Sequence, residues 1–273
     1  VAGYVGNQDF LLTGTAGRYV LKAGDGPALA AEAWACERVR ACGVPAPPIL
    51  ATDLAGSLLG PALLVMEHLA GSPSPEPDDP AIVEAGRRLR RVHSVTMAGY
   101  GPVRVARDGT AAGECASWAE FTATALIGLP ELVAQHIIEA AFADRVRVAL
   151  DRHRDAVDYT GPAILLHGDL HPRHIFAAGT ELTGIIDWGD VAAGDPVFDL
   201  ARYSIGGQDS MENLLGGYGL SWDPELDRRF AVYRVIRMSR TLYDEFRCGG
   251  DWFDAYRRQL RMDLDRLDQT LTG

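Results

Sequence analysis

Residues 164–190 read ILLHGDLHPRHIFAAGTELTGIIDWGD, and the remainder of the chain makes sense as a frame around them. Two apolar runs, Ile164-Leu165-Leu166 and Thr183-Gly184-Ile185-Ile186, have the length of buried strands and are too short for helices. Asp169 and Asp187 follow them, at loop positions where side chains do chemistry on a rigid support. A Gly179-Thr180 turn lies between, so the two runs are expected to fold back as an antiparallel ribbon with both carboxylates at one mouth. Such a pair suits phosphoryl transfer, in which one carboxylate orients and deprotonates the attacking hydroxyl and another holds magnesium. Asp169 suits the first role and Asp187 the second.

Composition narrows the setting. A chain of 273 residues with 47% hydrophobic content can bury a sizeable core, as one large domain or two lobes. No run approaches the roughly 20 apolar residues of a membrane span, and no basic-then-apolar leader opens the chain. Four cysteines, Cys36, Cys42, Cys115 and Cys248, lack CxxC spacing, so neither a zinc knuckle nor a disulfide frame is expected and a reducing cytoplasm is the simplest home. The net charge of −11 argues against sequence-independent nucleic-acid binding and favours a small cationic partner bound by a monomer. Of 26 basic residues, Lys22 is the single lysine. Lysine is a compact point charge suited to phosphates, whereas arginine is a rigid planar fork.

Taken in order, residues 1–22 read as three strands joined by a glycine-bearing turn and a tight turn, with 10–12 and 19–21 as apolar cores. The chain opens inside the first of these, so native residues are expected to precede it. The turn over residues 3–8, including Gly6 and Asn7, can lay backbone N–H groups over phosphates, although a plain hairpin looks the same. Residues 27–41 form a helix closed by Gly43. Strands follow at 49–52 and 63–66, then the proline-rich break GSPSPEPDDP at 71–80, where the lobe boundary is placed: 1–70 and 71–273. Residues 81–93 form a helix with a solvated arginine face, and His93 reads as a structural histidine. Residues 100–113 are expected to be a loop, and 115–125 helical. Residues 130–157 are expected to be two helices meeting near Phe142-Ala143-Asp144, and 224–246 and 251–271 two closing helices.

The run His167-Gly168-Asp169-Leu170-His171-x-x-His174, followed by Ile185-Ile186-Asp187-Trp188-Gly189-Asp190, resembles the catalytic and metal-binding loops of the aminoglycoside phosphotransferases, which share the protein-kinase fold. The resemblance implies an α+β, bilobal protein-kinase-like architecture, with a small β-rich N-lobe carrying one helix and a larger helical C-lobe. It implies transfer of the γ-phosphate of ATP or GTP to a hydroxyl of a small, cationic, aminoglycoside-like antibiotic, conferring resistance. Asp169 would be the base, with His174 and Asp187 as the groups for Mg2+ or Mn2+. Lys22 would clamp phosphates with Glu32, for which Glu37 is the rival. The backbone of Glu67 and Leu69 would read the base beside Met66, Phe176 and Ile186, and the loop bearing Gly6 and Asn7 would cover the phosphates. Asp199 would brace the catalytic loop. Asp190, Asp244, Glu245, Asp251 and Asp254 would hold the antibiotic's ammonium groups, although a solvated acidic helix end reads the same.

His174 departs from the Asn of that pattern, because magnesium prefers oxygen ligands; it is similar to the macrolide phosphotransferases there. A macrolide or small-metabolite kinase of the same fold is therefore one alternative. Another is a zinc hydrolase using His167, Asp169, His171 and His174. A third is an inactive nucleotide-binding scaffold.

Overall fold

A computed structural model describes residues 8–15, 17–73 and 76–269. Gly6 and Asn7, with the rest of the expected first strand and turn, lie outside the described residues. Strands β1 (Gln8–Gly14), β2 (Gly17–Gly24), β3 (Ile49–Asp53) and β4 (Ala62–Glu67) form an antiparallel sheet in the order β1-β2-β4-β3. Helix α1 (Gly26–Ala41) follows β2, its start fixed by Asp25, whose carboxylate accepts from the Ala28 N–H at 3.0 Å. Leu29 on α1 packs with Leu64 and Met66 of β4, all buried. The face of α1 that carries Glu32 is thus held against the sheet.

The rest of the chain is mainly helical. Strand β5 (Ser72–Pro73) leads to helix α2 (Pro80–Val92) and the strands β6 (Tyr100–Val105) and β7 (Ala111–Cys115). Helices α3 (Trp118–Ala123), α4 (Leu129–Ala134) and α5 (Ala140–Arg152) precede strands β8 (Ile164–Leu166), β9 (Ile175–Ala178), β10 (Glu181–Ile185) and β11 (Ala192–Gly194). Helices α6 (Val197–Gly206), α7 (Met211–Tyr218), α8 (Pro224–Arg247) and α9 (Phe253–Gln269) complete it. The fold is α+β, with a sheet-rich N-terminal region and a helical C-terminal region. Among the described residues no helix is long and apolar enough to cross a membrane.

Three sequence expectations give way. The ribbon around Gly179-Thr180 is β9 with β10, whereas β8 pairs with β11. The eight residues between β8 and β9 form the loop that carries Asp169, and β8 finds its partner beyond Asp187 instead. Residues 100–113 are a hairpin rather than a loop: β6 pairs with β7 across a turn in which Asp108 accepts from the Thr110 N–H at 3.0 Å. The two helices in 130–157 part at residues 135–139, and Phe142-Ala143-Asp144 lies within α5.

The seam beneath the loop that carries Asp169 is tightly packed. Trp118 is fully buried and donates from Nε1 to the Tyr233 hydroxyl at 2.9 Å, and that hydroxyl bonds Asp195. A Cβ on Gly194 would collide with the Trp118 ring, so glycine is what lets β11 lie against α3. Gly194→Ala is expected to lower stability by about 1–3 kcal/mol through overpacking, read as a fall in the urea midpoint; an unchanged midpoint would mean the ring has room to move.

Candidate active site

Lys22 lies in β2 opposite Asp9 of β1, with only 6% of its surface exposed. Its ammonium donates to Glu32 Oε1 at 2.6 Å and to Asp187 Oδ1 at 2.8 Å. Sheet, α1 and the loop bearing Asp187 therefore meet on one cation. Glu37, the rival partner, is exposed. Burial works against the Lys22 charge, but Glu32 and Asp187 outweigh it and push its pKa up. Burial raises the Glu32 carboxyl and Lys22 lowers it; with the ammonium so close, the ionised pair is the state the geometry favours.

Asp169 stands on the loop after β8. Asp199 fixes that loop, its carboxylate accepting the N–H groups of His167 at 2.6 Å and Gly168 at 2.8 Å and a bond from His93 Nε2 at 3.1 Å. His93 is thus structural. Gly168 has φ +82°, and a Cβ there would strike the Asp190 carbonyl oxygen, so the tight passage requires glycine. Asp169 Oδ1 accepts from Arg202 Nε and from Arg237 Nη2, both at 2.6 Å. Burial pushes its pKa up, yet Arg237 and Arg202 more than offset this and hold the carboxyl well below the usual range.

His174 has a defined tautomer. Nδ1 lies 2.9 Å from the Asp169 carbonyl oxygen, to which it can only donate, while Nε2 accepts from Arg173 Nε at 3.1 Å. Asp187 Oδ2 lies 3.3 Å from the same Nε2, whose one lone pair is taken up by Arg173. Burial, with His167 adding to it, pushes the His174 pKa down to about 3. Asp187 is the one described non-glycine residue besides His136 with positive φ, at +65°. Its carboxylate is 44% exposed to the cleft. A divalent ion fits these donors once Arg173 yields Nε2 to it: carboxylate oxygen and neutral imidazole with its other nitrogen tied to a carbonyl, the remaining positions left to phosphate oxygens. The nitrogen donor suits manganese better than magnesium.

The zinc cluster of the hydrolase alternative does not assemble. His167 Nε2 donates to the Ile186 carbonyl at 2.9 Å, and His171 Nδ1 accepts the Arg173 N–H at 3.1 Å. Among the described residues, no three His, Cys, Asp or Glu side chains converge for a metal.

Asp9, Lys22, Asp169, Asp187 and Asp190 line one cleft of about 490 Å³. Met66 is buried in β4, and Glu67 is committed through its N–H to the Pro48 carbonyl at 3.0 Å. Leu69 lies over Gly184, where a Cβ would strike it, and Phe176 and Ile186 are half-buried on the adjoining ribbon. The five acids expected around the substrate are not gathered together. Asp190 and Asp244 face an adjoining cavity of about 430 Å³. Glu245 also borders it but is buried, its Oε1 accepting the Trp252 N–H at 3.1 Å, a turn-holding contact. Asp251 is exposed outside both cavities, and Asp254 pairs with Arg257. The arginines were not anticipated: Arg202, Arg237 and Arg240 sit on helix faces that a pattern of charge alone assigns to solvent.

With this geometry in hand, a family model described as the phosphotransferase enzyme family, APH, matches residues 1–233. The chain belongs to that family. Among solved structures, a thermostable mutant of aminoglycoside phosphotransferase APH(4)-Ia, in ternary complex with ADP and hygromycin B, matches with a TM-score of 0.73 at 17% identity, covering 98% of this chain and 91% of that one. The GDP complex of wild-type aminoglycoside 2'-phosphotransferase-IIIa matches at 0.66 and 17%, covering 97% and 91%. A choline/ethanolamine kinase family protein from Mesorhizobium loti matches at 0.65 and 19%, covering 100% and 90%. No curated protein sequence matches. The fold of this phosphotransferase is thus the bilobal, protein-kinase-like one.

The depressed imidazoles carry a stability consequence. His174 falls to about 3 and His171 to about 4, from an ordinary 6.5, both chiefly through burial. The unfolded chain takes up these protons before the folded one, so the stability of the metal-free protein is complete above about pH 6.5 and lost as the pH falls through this window. His174→Asn is expected to shrink the drop in Tm between about pH 7 and about pH 5; an equal drop in wild type and variant would place the protons elsewhere.

Proposed function

We propose that this phosphotransferase moves the γ-phosphoryl group of ATP or GTP to a hydroxyl of a small molecule. The observation that carries the reading is the single ammonium of Lys22 shared by Glu32 and Asp187 at the mouth that also holds Asp169. In this reading residues 1–70 receive the nucleotide, with the base beside Met66, Glu67, Leu69, Phe176 and Ile186, and residues 71–273 receive the acceptor. Support comes from the family match and from relatives solved with ADP or GDP.

The acceptor hydroxyl would donate to Asp169. As its oxygen forms the bond to the γ-phosphorus, the bond from that phosphorus to the β–γ bridging oxygen breaks, the hydroxyl proton passes to the Asp169 carboxylate, and the nucleoside diphosphate leaves. Lys22 would hold the phosphates, fixed in direction by Glu32. A divalent ion at Asp187 and His174 would neutralise charge on the phosphate oxygens. His174 needs no proton change to serve, since its imidazole is neutral across the physiological range.

An antibiotic acceptor, with resistance as its outcome, is one form of this function, supported by the hygromycin B and aminoglycoside relatives; a small amino alcohol is another, supported by the choline/ethanolamine kinase family protein. A coupled-turnover screen over aminoglycosides, macrolides and hydroxyl metabolites tests the reading, and turnover with none of them, alongside intact nucleotide binding, would favour the inactive scaffold. Asp169→Asn is expected to bind nucleotide within about twofold of wild type and to lose about 10²–10⁴-fold in transfer rate; near-normal turnover would remove Asp169 from the base role. His174→Asn is expected to keep or raise activity with magnesium and to weaken the response to manganese. Complete inactivation with magnesium would show that the imidazole does something oxygen cannot.

A further inference from the structure

The acceptor end of the cleft is lined by arginines that its acids hold unevenly. Arg202 of α6 and Arg237 of α8 both donate to one oxygen, Asp169 Oδ1, so two guanidiniums share one buried carboxylate. Arg240, one turn along α8, forms no ion pair among the described residues, and its Nη1 is buried without a partner. Its guanidinium sits 4.3 Å from the centre of the Phe121 ring, which holds it toward the 430 Å³ cavity. Of the acids of that cavity, Glu245 is buried and its Oε1 is turned to the Trp252 N–H, Asp190 is 63% exposed at its side chain and reaches Arg237 only at 3.4 Å, and Asp244 is also exposed. Arg240 is half-buried with its Nη1 enclosed and unpaired, so it presents unused donors to the cavity, and a guanidinium enclosed without an anion is costly. Burial lowers the pKa of Arg240, with Arg237 adding to the effect, and Asp244 and Asp190 offset only part of it.

We propose that the acceptor carries, beside the hydroxyl that is phosphorylated, an anionic group, a carboxylate or a phosphate, received by Arg202, Arg237 and Arg240. The inference rests on the phosphotransferase reading and names the chemistry of its acceptor. Arg237 borders both cavities, so a hydroxyl at Asp169 and an anion at Arg240 lie on either side of it. Planar forks suit such a group, which they grip through paired N–H donors. The anion also offers Arg202 and Arg237 a second partner, which relieves the double hold on Asp169 Oδ1 and leaves that oxygen a better proton acceptor. Asp190, held among the described residues only by its long contact to Arg237, and Asp244 face the cavity where an ammonium group on the same molecule could be received.

Titration calorimetry on the chain saturated with magnesium and AMP-PNP separates the cases. Homoserine and glyceric acid form the carboxylate arm, glycerol 3-phosphate the phosphate arm, and glycerol, 2-aminoethanol and hygromycin B the arm without an acid. At least one acid-bearing compound is expected to bind about tenfold or more tighter than its acid-free counterpart, and to weaken about tenfold in Arg240→Met with partial recovery in Arg240→Lys. Preferred binding of the acid-free compounds, binding of no acid-bearing compound, or acid binding untouched by Arg240→Met overturns the proposal. The phosphotransferase reading fails separately, by loss of AMP-PNP binding; the same titrations on the free chain then still decide the role of Arg240.

Discussion

One ammonium group ties the N-terminal sheet to the loops that follow it. Lys22 reaches from β2 to Glu32 on α1 and to Asp187 after β10, with 6% of its surface left to solvent. Two neighbouring segments and a third 165 residues beyond Lys22 thereby share a charge that none could leave uncompensated at this depth. The same contact sets the direction of the cleft, because α1 can present Glu32 only while Leu29 keeps it packed on Leu64 and Met66.

The acidic residue across the cleft is held differently. Asp169 is placed by its backbone, through the two N–H groups that Asp199 accepts, while its side chain is held by Arg202 and Arg237. Placement and charge state thus come from separate partners. The buried chain from Trp118 through Tyr233 to Asp195 adds a third support, locking α8, which carries Arg237 and Arg240, against the strand beside the loop.

Much of the fold was legible because the signals were local. Pro27 at a helix start, Gly43 past its end and short apolar runs flanked by turns read directly, and so did Asp169, Asp187 and the single lysine. Pairing was less legible, since β8 and β11 are three residues each and fully buried, too short to show which run they seek. The 100–113 hairpin was hidden by glycines that serve close approach rather than a loop. The arginines were missed for a physical reason: in a chain with almost no lysine, arginine serves both surface and site, and only tertiary packing separates Arg240 from the solvated run at 87–91. The late acids erred in the other direction, being near in sequence but divided between cavity, turn and surface.

A chain with one side-chain amine carries a built-in reporter. Isotope-enriched methyl groups attached reductively to primary amines would give a single lysine resonance, and it would sit where sheet, helix and metal loop join. Its chemical shift would follow the state of that junction without interference from any other ε-amine, a selectivity that most proteins reach only by replacing their surface lysines one at a time.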